Sequence, residues 1–349
     1  TATAYISPSL KDIKERFWMG YRYLTHQEIK QSIKIIEKLN VPLTIFEVLT
    51  VVYIMNAAKQ NVGYHLVEAG ALFAKDSTNI FDYPLAQIIV NINKQHLNFL
   101  KKKTLNEVIY QKVGFLSHFT HIYISKQKPY VLKEIRKNLK KNKSKITYSN
   151  TWSLIKKNKY YYIDKKNKIK LSTKNIHSIG LLHNLCHAIK IALDLKINKK
   201  IIKKTIPKII FEGRLQYLNK GKIKKKLYNN EQIMLDGAHA ETDAKNLANY
   251  LNKLRLPKFG IWAMMKNKEP NIFIKQFRNT FKKIITMSIE GEQSSMLSKD
   301  LYKIALKNNF NVDEANSFND ALKKISSKEK KLIVCFGSLY NVGSILNKN

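Results

Sequence analysis

The feature that most constrains the fold is the alternation of strand-like and helix-like hydrophobic periods along most of the chain. Helices are predicted over residues 44–58, 104–113, 129–141, 178–194, 197–207, 240–253, 271–281, 298–308, 317–325 and 339–347, and strands over residues 62–67, 87–92, 121–125, 232–235, 259–264, 283–287 and 332–336. Strands that alternate with helices form right-handed βαβ units and parallel sheets. The sequence therefore predicts an α/β protein.

One stretch departs from this alternation. From Lys145 to Leu171, aromatic and β-branched residues alternate with lysines, which predicts strands and hairpins with turns at residues 156–158 and 164–167. The α/β pattern resumes near Glu231. With 349 residues, the chain is long enough for two domains. We predict a first domain over residues 1–212, a linker over residues 213–230 and a second domain over residues 231–349.

The composition excludes several classes of protein. Hydrophobic residues make up 44% and charged residues 25%, which is too apolar for a disordered chain. The two cysteines, Cys186 and Cys335, cannot form a disulfide framework and fit a reducing, cytoplasmic setting. No apolar run reaches the roughly 18 residues of a membrane span, and no signal peptide is visible. We therefore expect no membrane partner.

The net charge of +38, from 63 basic and 25 acidic residues, leaves two interpretations open. Such a charge can mark a nucleic-acid-binding surface. However, the lysines are spread over the whole chain among Asn and Ile, as an AT-rich coding sequence yields, and Arg is scarce. We favour exposed lysines over a dedicated nucleic-acid surface by roughly four to one.

Candidate site residues follow the predicted strands, because ligands of open α/β sheets gather at the carboxyl ends of strands. Glu68 ends one strand, His96 lies just past another, and Asp236 and His239 follow a third. The alternatives are a helix N-cap for Asp236, at about even odds, and an ordinary loop position for His96. Glu68 is harder to dismiss, because a carboxylate that closes a buried strand is costly unless it is paired.

Three further features of the sequence are candidate ligand-binding positions. His183 and His187 are four residues apart on a predicted helix, but ordinary helix positions are favoured over a zinc site by roughly five to one. Gly213-Arg214 offers a phosphate-binding or carboxylate-binding guanidinium near the domain boundary. Gly337-Ser338 is either a ligand-binding turn or a simple helix cap.

Short segments over nearly the whole chain also stand in a specific order. They are Ser7-Pro8-Ser9-Leu10 with Glu15-Arg16, Phe46-Glu47-Val48-Leu49-Thr50, Glu68-Ala69-Gly70 with Asp76-Ser77-Thr78-Asn79, Gln95-His96 with Phe99-Leu100, Thr104-Leu105, Lys112-Val113-Gly114, His183-Asn184-Leu185-Cys186-His187-Ala188, Gly213-Arg214-Leu215, Asp236-Gly237-Ala238-His239, Lys268-Glu269 and Gly337-Ser338-Leu339-Tyr340. In their number, order and spacing they resemble the folylpolyglutamate synthase/dihydrofolate synthase family of the Mur ligase superfamily.

The resemblance implies a P-loop-type Mur ligase ATPase domain, incomplete at its N-terminus, followed by a Rossmann-like C-terminal domain. It implies a monomeric ligase that uses ATP to join L-glutamate to dihydropteroate or a folate through an acyl phosphate, without a specific nucleic acid. It further implies two Mg²⁺ sites and the following residue roles. The metal ligands would be Ser7, Glu68 and His96, the ATP contacts would be Asn184, His187, Arg214, Asp236 and His239, and the catalytic residues would be Lys112 (as a carbamate), Asp236 and His239.

The chain also departs from the family pattern. The phosphate-binding loop GTNGKGS, expected before Ser7, does not occur, so we expect a chain truncated at its N-terminus that binds ATP poorly and is inactive by itself. Leu72 and Phe73 replace the paired glycines after Glu68, and Gln95 and Ala240 replace the family's Asp and Asn. An impaired or inactive homologue is therefore the second hypothesis. A basic nucleic-acid-binding protein is the third.

Overall fold

The computed structural model describes all residues, Thr1 to Asn349, and divides into two compact units. The N-terminal unit comprises Thr1–Thr173 and Ile179–Lys208, and the C-terminal unit comprises Lys174–Ser178 and Ile209–Asn349. The main boundary thus lies close to the predicted one. The five-residue excursion at Lys174–Ser178 has no counterpart in the sequence-based prediction.

The N-terminal unit contains nine short strands and six α-helices. Its strands are β1 (Ala2–Tyr5), β2 (Phe17–Trp18), β3 (Tyr64–Val67), β4 (Ala86–Ile89), β5 (His121–Ile124), β6 (Lys145–Tyr148), β7 (Trp152–Lys156), β8 (Tyr160–Asp164) and β9 (Lys168–Lys170). Its helices are α1 (His26–Glu37), α2 (Ile45–Ala57), α3 (Leu105–Val113), α4 (Pro129–Asn138), α5 (Ile179–Asp194) and α6 (Lys199–Thr205).

These strands form three sheets of three strands each. The orders are β2-β1-β3, β4-β5-β6 and β7-β8-β9. The second sheet is all parallel and the third all antiparallel, as the predicted hairpins require. Helices α1 and α2 begin with capping boxes at Thr25 and Thr44, which pair reciprocally with Glu28 and Glu47. The apolar faces of both helices pack with Tyr5 and Phe17 in one core.

The C-terminal unit contains six strands and six helices. Its strands are β10 (Gln216–Tyr217), β11 (Glu231–Asp236), β12 (Lys258–Trp262), β13 (Lys283–Thr286), β14 (Val312–Glu314) and β15 (Lys331–Phe336). Its helices are α7 (Lys222–Lys225), α8 (Glu241–Leu251), α9 (Pro270–Lys275), α10 (Ser298–Lys307), α11 (Phe318–Ile325) and α12 (Leu339–Asn347).

All six of these strands belong to one sheet, in the order β10-β11-β15-β12-β13-β14. Every pair is parallel except β10 with β11. Strand β15 is buried along its whole length because helices cover both faces. Trp262, Phe273 and Phe336 stack at the centre of the core. Because β11, β15 and β12 are neighbouring parallel strands, their carboxyl ends lie side by side at one end of the sheet.

The structure corrects several predictions. Residues 213–230 are no linker, because β10 pairs with β11 and α7 lies inside the C-terminal unit. The predicted helix over residues 271–281 ends at Lys275. Asn279 then adopts a left-handed conformation, and Phe277 and Phe281 on either side of it both pack on Phe336. No element was predicted in the first 43 residues, where the capping box of α1 was the available signal.

The strand predicted over residues 62–67 is present as β3, but it is not buried. Leu66 on this strand is 56% exposed, and β3 is an edge strand that pairs with β1 on one side only. No helix in the structure combines the length and the hydropathy that crossing a membrane requires.

Candidate functional site

Glu68 follows β3, as predicted, but its residue is exposed rather than buried. Its Oε2 accepts a hydrogen bond from the backbone N–H of Ser7 at 2.7 Å. The residue as a whole is exposed, but partial burial of its carboxyl group raises the pKa of Glu68, and the Ser7 N–H and the Arg16 guanidinium partly offset that increase. Two of the predicted metal ligands, Ser7 and Glu68, are therefore neighbours.

The loop after Glu68 is held by Asp76, a residue that the sequence-based site did not include. Its Oδ2 accepts from the Gly70 N–H at 2.9 Å, and its Oδ1 accepts from the Thr78 N–H at 3.0 Å. A Cβ on Gly70 would lie 2.6 Å from Asp76 Oδ2 and 3.1 Å from the Phe46 ring. This close approach explains why a glycine stands at position 70.

Leu72 and Phe73, which replace glycines of the family pattern, are accommodated by packing. Both side chains lie against the core formed by α3 and the β4-β5-β6 sheet. The backbone N–H of Phe73 donates to the Gln111 carbonyl at 3.2 Å, and neither residue adopts positive φ. The backbone conformation here thus requires no glycine.

Lys112 lies in the last turn of α3, where its Nζ donates to the Ala71 carbonyl at 2.8 Å. Burial lowers the pKa of Lys112, and the nearby Asp76 carboxylate partly offsets that shift. The structure therefore brings Lys112, Asp76 and the loop after Glu68 together. A lysine in this environment loses its proton more easily than an exposed one.

The oxygen-rich pair of Ser7 and Glu68 fits Mg²⁺, which prefers oxygen ligands. His96 is exposed and adopts a left-handed conformation, with its ring 6.3 Å from that of Phe99. Its nitrogen is the less suitable donor for this ion. The structure contains no cluster of three or more His, Cys, Asp and Glu side chains that could hold a metal. The metal set therefore stays a prediction.

Helix α5 carries both Asn184 and His187, and it presents them differently. Asn184 is exposed, whereas His187 is 2% exposed and stacks on Trp152 with ring centroids 5.2 Å apart. Burial lowers the pKa of His187 to about 4, and its Nε2 has no hydrogen-bond partner. His187 therefore lies in the core and Asn184 is accessible, and the ATP contacts of both residues stay predictions.

In the C-terminal unit, Asp236 is the last residue of β11 and is 5% exposed. One carboxylate oxygen accepts from the Leu215 N–H and the other from the Ala238 N–H, both at 2.8 Å. Burial raises the pKa of Asp236, whereas the Arg214 guanidinium and the two N–H donors act in the opposite direction. Asp236 is therefore not a helix N-cap, since that position before α8 belongs to Ala240.

Asp236 holds a turn that carries Arg214. Gly213 and Leu215 both adopt positive φ, and the Gly213 carbonyl accepts from the Gly237 N–H at 2.8 Å. A Cβ on Gly237 would lie 2.7 Å from Arg214 Nη1 and 2.3 Å from Leu339 Cδ2. The missing side chain at position 237 thus lets the Arg214 turn and α12 approach the strand end.

His239 lies beside this turn. Its Nδ1 is 2.9 Å from the Gly237 carbonyl, and a carbonyl can only accept, so Nδ1 carries the proton. Burial lowers the pKa of His239, and Lys268 and Arg214 lower it further. In its neutral form, Nε2 is left with a lone pair. Arg214 and Lys268 thus bring two cationic groups near the His239 ring, and the Asp243 carboxylate also acts on it.

Ser338 settles one of the open alternatives. It is the N-cap of α12, and its side chain accepts from the Tyr340 N–H. The helix-cap interpretation of Gly337-Ser338 is therefore confirmed. Gly337 has φ of 106°, and a Cβ there would lie 2.3 Å from the Ala263 carbonyl oxygen.

Three comparisons with known proteins agree with each other. Residues 219–348 match the family model described as dihydrofolate synthetase, C-terminal domain. The chain is 25% identical over 356 residues to a dihydrofolate synthase/folylpolyglutamate synthase of Buchnera aphidicola subsp. Schizaphis graminum. That alignment covers 98% of this chain and 80% of the relative.

Solved structures show the same fold. The folylpolyglutamate synthase of Thermotoga maritima is similar with a TM-score of 0.80 at 21% identity, covering 99% of this chain and 81% of that one. Escherichia coli FolC in complex with DHPP and ADP gives 0.83 at 17% identity, with the same coverage. The Yersinia pestis bifunctional enzyme complexed with AMPPNP and Mn ion gives 0.83 at 16% identity, also over 99% and 81%. The predicted two-domain α/β fold is confirmed, and it is the fold of these synthases.

Proposed function

We propose that the chain is a member of the folylpolyglutamate synthase/dihydrofolate synthase family, to which it is similar. As such, it is an ATP-dependent ligase that joins L-glutamate to a pteroate or folate carboxylate. An oxygen of the acceptor carboxylate attacks the γ-phosphorus of ATP, and the bond to the ADP leaving oxygen breaks. The glutamate amine then attacks the acyl carbon, loses a proton and expels inorganic phosphate. Both steps bring anionic groups together, so catalysis depends on fixed positive charge.

The observation that carries this proposal is the Asp236 cluster at the end of β11. A fully buried carboxylate holds the Arg214 turn through the Leu215 N–H and holds the Gly237-Ala238-His239 turn through the Ala238 N–H. Arg214, His239 and Lys268 then supply positive or hydrogen-bonding groups beside the strand end. We assign Arg214 and His239 to the nucleotide phosphates, and Asp236 to the placement of both.

In the N-terminal unit, we assign Glu68 and Ser7 to Mg²⁺, with His96 as a further candidate ligand. A bound Mg²⁺ would neutralise charge on the phosphates that react. Partial burial raises the pKa of the Glu68 carboxyl, and a bound cation would offset that cost of ionisation. Asn184, exposed on α5, is the remaining candidate for a nucleotide contact from this unit.

We assign Lys112 to a carbamate that serves a second metal. Carbamylation requires a neutral amine, since the lone pair attacks carbon dioxide and the ammonium form has none. The lowered pKa of Lys112 increases the neutral fraction, and the product is an oxygen-rich anion.

We further propose that the enzyme is a cytoplasmic monomer. Its two cysteines are free and buried, which fits a reducing compartment.

The proposal is tested by ADP release from the protein expressed from its complete reading frame. Mixtures contain Mg-ATP with glutamate and with dihydropteroate, tetrahydrofolate or no acceptor. We expect ADP release only when glutamate and one acceptor are both present, and the acceptor that works identifies the activity. No release from a folded protein with either acceptor would favour the inactive homologue.

Two substitutions test the site within the same assay. His239→Ala and Lys112→Ala should each lower kcat by at least about 100-fold while the circular dichroism spectrum is unchanged. His26→Ala, which removes an exposed histidine paired with Asp12, is the matched control and should leave turnover intact. Near-normal rates in both site variants would contradict the assignment.

A further inference from the structure

The segment Lys174–Ser178, which we call the strap, belongs to the C-terminal unit although the residues on both sides of it belong to the N-terminal unit. Ile176 anchors the strap, because its side chain is 1% exposed. The strap carries His177, and partial burial lowers the pKa of its ring. Neither residue was a site candidate in the sequence.

His177 packs against a pair of tyrosines. Its ring meets that of Tyr217 edge to face, with centroids 5.2 Å apart, and lies 6.3 Å from that of Tyr250. The two tyrosine hydroxyls share a hydrogen bond of 2.9 Å. Tyr217 lies on β10, and Tyr250 lies on α8, the helix that follows His239. The three rings therefore join the strap to both elements that flank the Asp236 cluster.

The strap contacts both ends of one functional segment, residues 209–217. At its start, the Asn175 side-chain amide donates to the Ile209 carbonyl at 3.4 Å. At its end, His177 packs on Tyr217. Between these contacts lies the turn at Gly213-Arg214-Leu215, with two residues at positive φ. A turn with this backbone keeps its shape only when its surroundings hold it in place.

We infer that His177 is a positioning residue, which clamps residues 209–217 so that Arg214 is presented in the geometry for nucleotide binding. The inference rests on the proposed nucleotide contact of Arg214. Asp236 fixes the turn from the strand side through the Leu215 N–H. His177 fixes it from the strap side through Tyr217. Small displacements of a phosphate-binding group lower binding steeply, because hydrogen bonds to phosphate depend on alignment.

The direct test is amide hydrogen exchange of residues 213–215 in His177→Ala and His177→Phe. The Leu215 N–H, bonded to Asp236, reports the turn without any need for activity. We expect His177→Ala to speed its exchange about tenfold, because the turn opens more often. His177→Phe, which keeps an aromatic ring against Tyr217, should restore slow exchange. Unchanged exchange in His177→Ala would overturn the inference.

Steady-state kinetics supply the second measurement. We expect His177→Ala to raise KM for ATP about tenfold and to change kcat less than about twofold, because binding geometry rather than chemistry is affected. His26→Ala is the control and should change neither value. If His177→Ala unfolds the unit, Tyr250→Phe removes only the hydroxyl bond to Tyr217 and should still speed exchange at Leu215. Wild-type exchange and KM in Tyr250→Phe would then overturn the inference.

Arg214→Ala separates this inference from the proposed function. If Arg214→Ala leaves KM for ATP unchanged, the nucleotide contact is wrong whatever His177 does. If Arg214→Ala raises KM and His177→Ala leaves both KM and exchange unchanged, the proposed function stands and the role of His177 is wrong.

Discussion

Asp236 in the C-terminal unit and Glu68 in the N-terminal unit both lie at the carboxyl end of a parallel strand, yet their surroundings differ. Asp236 is 5% exposed, and both of its oxygens accept backbone N–H groups. Glu68 is exposed and accepts one such bond, from Ser7. Both oxygens of Asp236 thus accept hydrogen bonds from the protein, whereas Glu68 has an oxygen available for a ligand. Carboxylates at similar positions in the two sheets thus have different roles, one in holding the protein's own turns and one in accepting a ligand.

The sheets explain the contrast. The C-terminal unit has one six-stranded sheet, with β11 and β15 in its interior and almost entirely buried. The N-terminal unit divides nine strands among three sheets, so that β3 is an edge strand. A carboxylate at the end of a central strand must satisfy its oxygens within the protein. One at the end of an edge strand remains open to solvent and ions.

The largest expected difference is in the free energy of unfolding that is lost when each of two ion pairs is broken. Lys331 is 2% exposed and lies 3.9 Å from the fully buried Glu231 in the C-terminal unit, whereas Arg22 and Glu28 form an exposed pair in the N-terminal unit. Lys331→Met should lower the free energy of unfolding by about 3–5 kcal/mol, because it leaves a buried carboxylate without its cation. Arg22→Met should cost less than about 1 kcal/mol. Urea denaturation measures the free energy of unfolding of both variants, and equal losses would contradict the expected difference between the two pairs.

The next effect contrasts the two carboxylates themselves. Asp236→Asn places an amide N–H against a backbone N–H and should lower the stability of the C-terminal unit by about 1–3 kcal/mol. Glu68→Gln should change stability by less than about 0.5 kcal/mol, since this residue is exposed. It should nevertheless lower kcat by about 100-fold or more, because a neutral amide holds Mg²⁺ poorly. Thermal unfolding and ADP release separate the two outcomes, and a large stability loss in Glu68→Gln would contradict them.

The smallest effect concerns His187. Its folded-state pKa of about 4 lies below the ordinary value of 6.5, so the unfolded chain takes up the proton first. Stability is therefore complete above pH 6.5 and is lost as the pH falls towards 4, by at most about 1.4 kcal/mol per pH unit. His187→Phe keeps the stacking on Trp152 and removes the titrating ring.

Denaturation at pH 5 and pH 8 tests this prediction. We expect His187→Phe to stabilise the protein by about 1–2 kcal/mol at pH 5 and by less than about 1 kcal/mol at pH 8. KM for ATP should stay at the wild-type value, since a core residue does not contact the nucleotide. A rise in KM would restore His187 to the nucleotide site and refute its placement as a core residue.

Local patterns predicted well those features that depend on local chemistry. Helix α3 and the β7-β8-β9 hairpins lie within a few residues of their predicted bounds, because hydrophobic period and turn residues determine them. The turn at Asp236-Gly237 was also predicted as a strand-end site. Its glycine is required by the approach of Leu339, which no local pattern shows.

Features that depend on distant contacts could not be predicted. The exposure of β3 follows from its place at a sheet edge, and the burial of His187 follows from its contact with Trp152. His177 lies next to a predicted helix of the N-terminal unit, but it belongs to the C-terminal unit, where it contacts Tyr217 and Tyr250. Sequence spacing carries no signal for such pairs.

The most direct test of the glutamate ligase follows the oxygen of the acceptor carboxylate. An acceptor labelled with ¹⁸O in that carboxylate is converted with Mg-ATP and glutamate, and the inorganic phosphate is examined by mass spectrometry. Reaction through an acyl phosphate predicts that one labelled oxygen appears in the phosphate for each amide bond formed. Unlabelled phosphate, accompanied by ADP and glutamylated product, would contradict this mechanism.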